Sequence, residues 1–557
     1  MRLPEPASDE ARSFARALSM SITAADVLVR RGHGDVEATR RWLDPRLSHL
    51  TAPHAMADRA LAADRIAHAL RHRERIVVFG DYDCDGITAT AVLTEALRAL
   101  GGDVVPMLAS RFDGGYGLSD AAVERVIAAA PRLLVTCDCG SSDAPRLARI
   151  KAVGIDAIVI DHHLVPDEPL DVVAFLNPHR PDCGFPYKGL ASCGLALSIA
   201  AAVRASLDAP LDLRPLLDLV AIGTIADVAP LDGDNRALVR AGLAMLQQAR
   251  RPGIRALAET AGLALNAGPS AEDVSFRLAP RLNAPGRIGK PDIALALLLA
   301  RTPAEARGIA AEVEQAQEMR RQVEREVQEA ALRQVEELGL ANAPAIVVAG
   351  EGWHPGVVGI VAGRLAARFG KPTIVVGLEG AQGHGSVRGP RGFRLHDALS
   401  RSADALVSFG GHQAAAGVVA EASRIEKLRE RFAEECAKVA GFEGEATEIQ
   451  AEARLDEADH PARVVNDFML LEPCGEANPA PRLVLADARV RDAREVKGGH
   501  LKLSLDVAGH PMSGFGMDMG SRANSLPKRV HVIGSLRRDT WRGGDAVEVK
   551  IEAIEGA

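Results

Sequence analysis

The sequence predicts an α/β protein: a domain on a parallel sheet, a long connecting helix, a second α/β domain and a β-rich end. Three patterns predict it. Apolar runs at Ile76-Val77-Val78-Phe79, Leu133-Leu134-Val135-Thr136-Cys137 and Ala157-Ile158-Val159-Ile160 are short, alternate with helical patterns, and each stops at carboxylate or imidazole side chains. A helical pattern opens at Thr302 and can run to about Gly339. Near the end, His500-Leu501-Lys502-Leu503-Ser504-Leu505-Asp506-Val507 alternates strictly, as a half-buried antiparallel strand does.

In chain order, the residues before the first strand read as helical, and Ala60 to Arg73 carries apolar residues at helical spacing. Gly80-Asp81-Tyr82-Asp83-Cys84-Asp85-Gly86 follows that strand, and Thr88 to Leu100 reads as a helix. Three carboxylates therefore fall in a strand-to-helix turn at the carboxyl end of a strand, where open α/β sheets bind ligands. Carboxylates so close repel one another, and a divalent cation is the simplest thing that makes the cluster tolerable. An EF-hand loop needs glutamate where Val92 stands and a helix where the strand stands. Asp83-Cys84-Asp85-Gly86 also resembles the nucleophile loop of haloacid-dehalogenase-type phosphatases, and the blandest alternative is a solvated acidic turn. Recurrence favours a metal site. The second run ends in Asp138-Cys139-Gly140 and the third in Asp161-His162-His163, and parallel βαβ topology puts all three ends on one edge of the sheet. Leu216 to Ile225 then runs into Ala226-Asp227-Val228-Ala229-Pro230, where Asp227 is either a helix-ending surface acid or a fourth carboxylate of the cluster.

Composition sets the bounds. A chain of 557 residues has room for several domains of about 100–200 residues each. Hydrophobic residues make up 47% and charged residues 25%, ordinary for globular protein, but aromatics are only 3%, so aliphatic side chains must build the cores. Met1 to Phe14 carries Glu5, Asp9 and Glu10 and lacks the apolar centre of a signal peptide. No run of about 18 apolar residues predicts a membrane span. Seven cysteines, an odd and thinly spread set, fit reduced thiols in a cytoplasm. Cys137 and Cys139 have no matching pair at zinc spacing and read as packing thiols. The net charge of −8 neither advertises nor excludes a nucleic-acid binder, because the charge that matters is local.

The acidic turn, Asp138, Asp161-His162-His163, and Gly223-Thr224-Ile225-Ala226-Asp227-Val228 resemble, in order, the four motifs of the DHH phosphoesterase superfamily. Phe409-Gly410-Gly411-His412-Gln413-Ala414-Ala415-Ala416-Gly417 is similar to the glycine–histidine signature of its DHHA1 companion domain. Ser275 to Arg287 and Arg111-Phe112-Asp113-Gly114-Gly115-Tyr116-Gly117-Leu118 resemble the RecJ branch, whose members are single-strand-specific 5′→3′ DNA exonucleases. The likeness runs from about residue 25 to the end. Cys84, where many relatives have alanine, is a small departure that should not touch the chemistry. A haloacid-dehalogenase reading leaves Asp161-His162-His163 and Gly411-His412 without a role.

The resemblance implies a helical segment at 1–70, a DHH catalytic domain at 71–300, a connecting helix at 301–340, a DHHA1 domain at 341–445 and an OB-fold domain at 446–557. Thr302-Pro303-Ala304-Glu305 reads as a capping box that starts a helix of roughly 50 Å with a mostly solvated Glu/Arg/Gln face. Arg482 to Arg542 holds 12 Lys/Arg against 6 Asp/Glu, and short strands with a basic face suit an OB-fold that binds single strands. Trp541 reads as a base-stacking or a core residue.

Asp83, Asp85, Asp138, His162 and Asp227, with Asp81 as ligand or hydrogen-bond acceptor beside them, suit two Mn²⁺ or Mg²⁺ ions rather than a thiolate metal. The resemblance implies that Asp85 and Asp138 bridge or approach both ions and that His163 contacts the scissile phosphate. Ser275 to Pro291 holds Arg277, Arg281, Arg287 and Lys290 and no acid, a stretch suited to phosphate contacts, and the resemblance implies that Arg111, Arg281, Ser386, Arg388 and His412 bind substrate. The expected partners are single-stranded DNA, a single-strand-binding protein and a RecQ-type helicase, with the chain a cytoplasmic monomer. Two other activities fit the motifs: a phosphodiesterase for short oligonucleotides, and a non-catalytic replication scaffold that would have lost its metal carboxylates.

Overall fold

The structure, a computed structural model, describes residues 3–390, 392–411, 415–439, 450–539 and 542–557; His412 and Trp541 lie outside them. Contacts divide the chain into two compact units, one of residues 51–229 and 242–446 and one of residues 1–50, 230–241 and 447–557.

The larger unit holds two sheets. In the first, β1 (Ile76–Gly80), β2 (Val104–Leu108), β3 (Leu133–Cys137), β4 (Asp156–Ile160) and β5 (Ala174–Leu176) are all parallel, in the order β2-β1-β3-β4-β5. β1 and β3 are buried along their whole length, which is why their residues are apolar without alternation. The chain steps from β1 to β2 on one side and returns to β3 on the other, so the switch in direction opens a crevice beyond the ends of β1 and β3. Gly80 is level with Cys137 and Cys137 with Ile160. The next residues, Asp81, Asp138 and Asp161, continue the ladder by donating their N–H groups to Cys137, Ile160 and Leu176. Topology and register thus bring three distant aspartates to one line.

The helix Cys84–Ala99 starts inside the acidic motif, with Asp83 as its N-cap. Gly86 must be glycine, because a Cβ there would lie 2.5 Å from the Asp81 carbonyl oxygen. The helices Ser192–Ser206 and Leu217–Ala226 pack against this one.

The connecting helix, Pro303–Glu337, is capped by Thr302, which accepts the Glu305 N–H. Glu305 reaches back to the N–H of Arg301 rather than of Thr302, so the capping closes one residue earlier than the motif predicts. Its buried stripe is apolar at Ala306, Ala310, Val313, Val327, Ala331 and Val335 but polar in the middle, at Gln317, Arg320 and Glu324.

The second sheet orders β6 (Ile346–Glu351), β7 (Thr373–Glu379), β8 (Gln382–Arg388), β9 (Ser408–Gly411) and β10 (Ala415–Glu421) as β6-β7-β8-β10-β9. Only β6 and β7 are parallel. The helix Pro355–Phe369 lies against β7 and β8.

In the smaller unit, β12 (Leu483–Val496), β13 (His500–Val507), β14 (His510–Gly516), β15 (Arg529–Arg538) and β16 (Val547–Gly556) close into a barrel through the β12–β15 pairing, and the short β11 (Ala453–Arg454) joins β12. β13 alternates in burial as its sequence predicts. The helices Asp9–Leu18 and Ile22–Arg30 share the barrel's core, with Phe14, Met20 and Leu28 in one cluster with Leu483, Leu503 and Val532. Several of these basic residues are ion-paired locally: Arg529 with Asp487, Arg491 with Asp506, and both Arg537 and Lys502 with Glu548. Among the described residues, no helix is long and apolar enough to cross a membrane, and all seven cysteines are free thiols, with Cys137 and Cys139 fully buried.

Candidate active site

Two walls of opposite charge meet in the larger unit. The acidic wall stands at the strand ends. Asp83 accepts the N–H groups of Asp85 (3.0 Å) and Gly86 (3.1 Å), as an N-cap does. Asp85, buried, accepts the Ser192 N–H (2.7 Å) and the Cys193 N–H (3.0 Å) at the start of the helix Ser192–Ser206. Gly223 must be glycine here, since a Cβ would lie 2.9 Å from Asp85 Oδ1 and 2.7 Å from Cys193 Sγ. The Nε2 of His162 lies 3.2 Å from Asp138 Oδ1, 3.8 Å from Asp227 Oδ2 and 3.9 Å from Asp85 Oδ2. Asp227, the C-cap of the helix Leu217–Ala226, therefore belongs to the cluster rather than to the surface.

Asp161 organises this wall without lying at its centre. Its Oδ1 accepts the His162 N–H, the His163 N–H and His163 Nδ1 (2.8 Å), and its Oδ2 accepts the Ser141 N–H. Burial works to raise its carboxyl, but the His163 hydrogen bond and charge outweigh that and hold it at about 2. Burial also opposes the charged form of His163, yet the Asp161 bond and charge lift the imidazole to about 9. Asp81, Asp85, Asp138 and Asp227 go the other way. Burial, and then the charges of Asp85 and Asp83, raise Asp227 to about 8. Asp81 and Asp138 are raised by burial and by the Asp83 carboxylate beside them.

Carboxylates buried this close together are a setting that a divalent cation would relieve. The ligand atoms form three compact sets, each within 4.8 Å: Asp81, Asp83 and Asp138; Asp85, His162 and Asp227; and Asp138, His162 and His163. His162 Nε2 is buried and makes no hydrogen bond, an orphaned lone pair aimed among carboxylates. Oxygen ligands with one such imidazole fit Mn²⁺ or Mg²⁺, and the overlapping sets fit a two-ion centre.

The basic wall is assembled from three places. Ser386 and Arg388 lie on β8 beneath Gly359, where a Cβ would come within 3.1 Å of Ser386 Oγ and 3.2 Å of Arg388 Nη2. Arg111 stacks over the Tyr82 ring at 4.5 Å, and its Nε is buried without a partner. Arg287 donates to the Gly356 carbonyl (3.2 Å). Burial lowers Arg287 to about 10, helped by the charges of Arg111 and Arg320; burial and the Arg111 charge also lower Arg388. Arg287 and Arg388, both lowered beside the Arg111 charge and with no carboxylate ion pair among the described residues, are in place for an anion such as phosphate.

The structure brings together Asp81, Asp83, Asp85, Asp138, His162, His163 and Asp227, as the sequence predicts, and sets Arg111, Ser386 and Arg388 in the basic wall. Arg277 and Arg281, also expected to hold substrate, are engaged here by neighbouring protein groups. Arg281 is spent on a two-pronged ion pair with Glu314 of the connecting helix, and Arg277 on Asp273 and the carbonyls of Ala261 and Gly262. His412 lies outside the described residues. Two contributors were not singled out from the sequence: Ser192, whose hydroxyl donates to Asp138 Oδ1; and Tyr116, whose hydroxyl donates to the Asp138 carbonyl (2.8 Å) beside His163 Nδ1 (2.9 Å). Tyr116 sits in a recognisable motif, but Ser192 carries no local signal.

Comparison with known proteins agrees with this geometry. The family profile "DHH family, N-terminal domain" matches residues 75–224, the DHHA1 domain residues 342–438, and the RecJ OB domain residues 451–553. The single-stranded-DNA-specific exonuclease RecJ of Bacillus subtilis (strain 168) is 33% identical over 99% of this chain and 70% of its own. The crystal structure of RecJ with Mn²⁺ from Thermus thermophilus superposes with a TM-score of 0.84 at 32% identity, covering 100% of this chain and 79% of that one. The Mg²⁺ complex from the same source gives 0.79 at 31% identity, covering 100% and 78%.

Proposed function

The chain belongs to the RecJ family of single-stranded-DNA-specific exonucleases, and from that premise we propose a metal-dependent enzyme that enters single-stranded DNA at its 5′ end and releases mononucleotides in DNA repair and recombination. One observation supports the polarity: an arginine–serine anion site with no carboxylate ion pair among the described residues stands within charge reach of the carboxylate–histidine cluster in one unit. A terminal phosphate held by Arg388, Ser386, Arg111 and Arg287 would fix how far the strand enters, and so which bond meets the acidic wall.

Asp81, Asp83 and Asp138 would hold one Mn²⁺ or Mg²⁺, and Asp85, His162 and Asp227 the second, with Asp138 in reach of both sets. When bound, the ions supply an activated water and neutralise charge at phosphorus. Asp161 fixes the His163 imidazole and the His162 backbone and keeps His163 protonated at neutral pH, so that its charge would lie beside the scissile phosphate. The barrel at 446–557 would hold the single strand. A non-catalytic scaffold fits poorly, because every carboxylate of the cluster is present. An enzyme limited to short oligonucleotides would have little use for the barrel. A cytoplasmic monomer working with a single-strand-binding protein and a RecQ-type helicase completes the proposal. The test is degradation of 5′-labelled and 3′-labelled single-stranded DNA with Mn²⁺. The 5′ label should appear as mononucleotide from the first time point while the 3′-labelled strand shortens gradually; the reverse pattern would overturn the polarity.

A further inference from the structure

We infer that Ser192 is a positioning residue of the metal centre, whose hydroxyl fixes the Asp138 carboxylate and thereby sets how tightly the cluster takes a divalent cation. The inference rests on reading the cluster as a metal centre. Ser192 is fully buried in the first turn of the helix Ser192–Ser206. It touches two carboxylates at once: its N–H donates to Asp85 Oδ2 (2.7 Å) and its Oγ to Asp138 Oδ1 (3.0 Å).

Asp138 is the residue that most needs such an anchor. Its backbone is left-handed (φ 64°), a strained conformation for a side chain with a Cβ. Its Oδ1 is also the carboxylate atom nearest His162 Nε2, at 3.2 Å. One oxygen is thus shared between the hydroxyl and the edge of the ligand set. The hydroxyl holds the carboxylate's rotation, and a donor to the anionic form favours it. Asp85 is held differently, by two backbone N–H groups that a side-chain change such as Ser192→Ala leaves in place. The adjustable contact on the metal side is therefore the serine oxygen. Hydrogen bonds that orient metal-binding side chains typically change metal affinity by about 10- to 100-fold when lost.

The experiment measures Mn²⁺ binding to the metal-free full chain without DNA, by the electron-paramagnetic-resonance signal of free Mn²⁺, for wild type, Ser192→Ala and Asp138→Asn. Ser192→Ala should bind about 10- to 100-fold more weakly. Ser192→Thr, which keeps the hydroxyl, should recover most of the affinity. Wild-type affinity in Ser192→Ala with loss in Asp138→Asn would overturn the serine's role and leave the metal centre standing. Wild-type affinity in both would overturn the metal centre itself. If Ser192→Ala does not fold, the isosteric pair Ser192→Thr and Ser192→Val makes the same comparison: weaker binding by valine supports the inference, and equal binding refutes it.

Discussion

The acidic and basic walls reach high charge density by opposite routes. On the acidic wall, backbone topology does the work. Asp81, Asp138 and Asp161 extend three adjacent parallel strands, so each carboxylate is placed by a strand's end and a ladder hydrogen bond. On the basic wall no such rule applies. Arg111 comes from a glycine-rich loop, Arg287 from the helix Ala279–Ile288, and Ser386 and Arg388 from a strand of the other sheet. What qualifies an arginine there is the carboxylate it does not meet. Arg281 and Arg388 look equally eligible in sequence, but only the first lies across from Glu314.

The largest effect that would break the comparison is on the acidic wall. Asp138→Ala and His162→Ala should each cost at least about a thousandfold in nuclease rate with an unchanged circular dichroism spectrum, because strand-end ligands carry little of the core. Activity within about tenfold of wild type in both would remove these residues from the site.

The two arginines come next. Arg388→Ala should slow cleavage about ten- to a hundredfold, the loss of a charge-assisted hydrogen bond of about 1.5–3 kcal/mol, with little change in stability. Arg281→Ala should do the reverse. It leaves a half-buried Glu314 unpaired and should lower stability by about 1–3 kcal/mol, read as a shifted denaturant midpoint. Equal kinetic losses with no stability difference would mean that both arginines serve the substrate.

A smaller effect is a proton count. Asp227, raised to about 8, holds its proton near neutral pH in the metal-free protein, so a cation must displace it. Mn²⁺ affinity should therefore rise as pH climbs through about 8, with proton release near pH 7 that fades above about pH 9. Titration calorimetry in two buffers of different ionisation enthalpy reads this directly. Buffer-independent heats near pH 7 would show that the cluster is already ionised.

This contrast also explains what the sequence could reveal. The parallel sheet, the long helix, the alternating barrel strand and the metal-ligand candidates were legible because each depends on local pattern plus one topological rule. The basic wall was half legible. Motif position picked out Arg111, Ser386 and Arg388, but it also picked out Arg277 and Arg281, whose partners Asp273 and Glu314 are decided by packing. Ser192 was silent, because a serine at a helix start is common and its target lies 54 residues away in sequence. The kinship of the first 50 residues with the barrel was silent too, since a shared core leaves no local signature. It has a practical consequence: truncation at residue 450 would strip Phe14, Met20 and Leu28 of their packing, so it is not a clean removal of the barrel.

The central claim is that the basic wall holds a 5′ phosphate while the acidic wall meets the bond to be cut. It is tested most directly by the rate ratio between 5′-phosphorylated and 5′-hydroxyl single strands, at saturating Mn²⁺, in wild type and Arg388→Ala. Wild type should favour the phosphorylated strand by about ten- to a hundredfold, and Arg388→Ala should bring the ratio close to one. A ratio that Arg388→Ala leaves unchanged, with both substrates slowed equally, would mean that the arginines grip the strand's backbone and do not read its end.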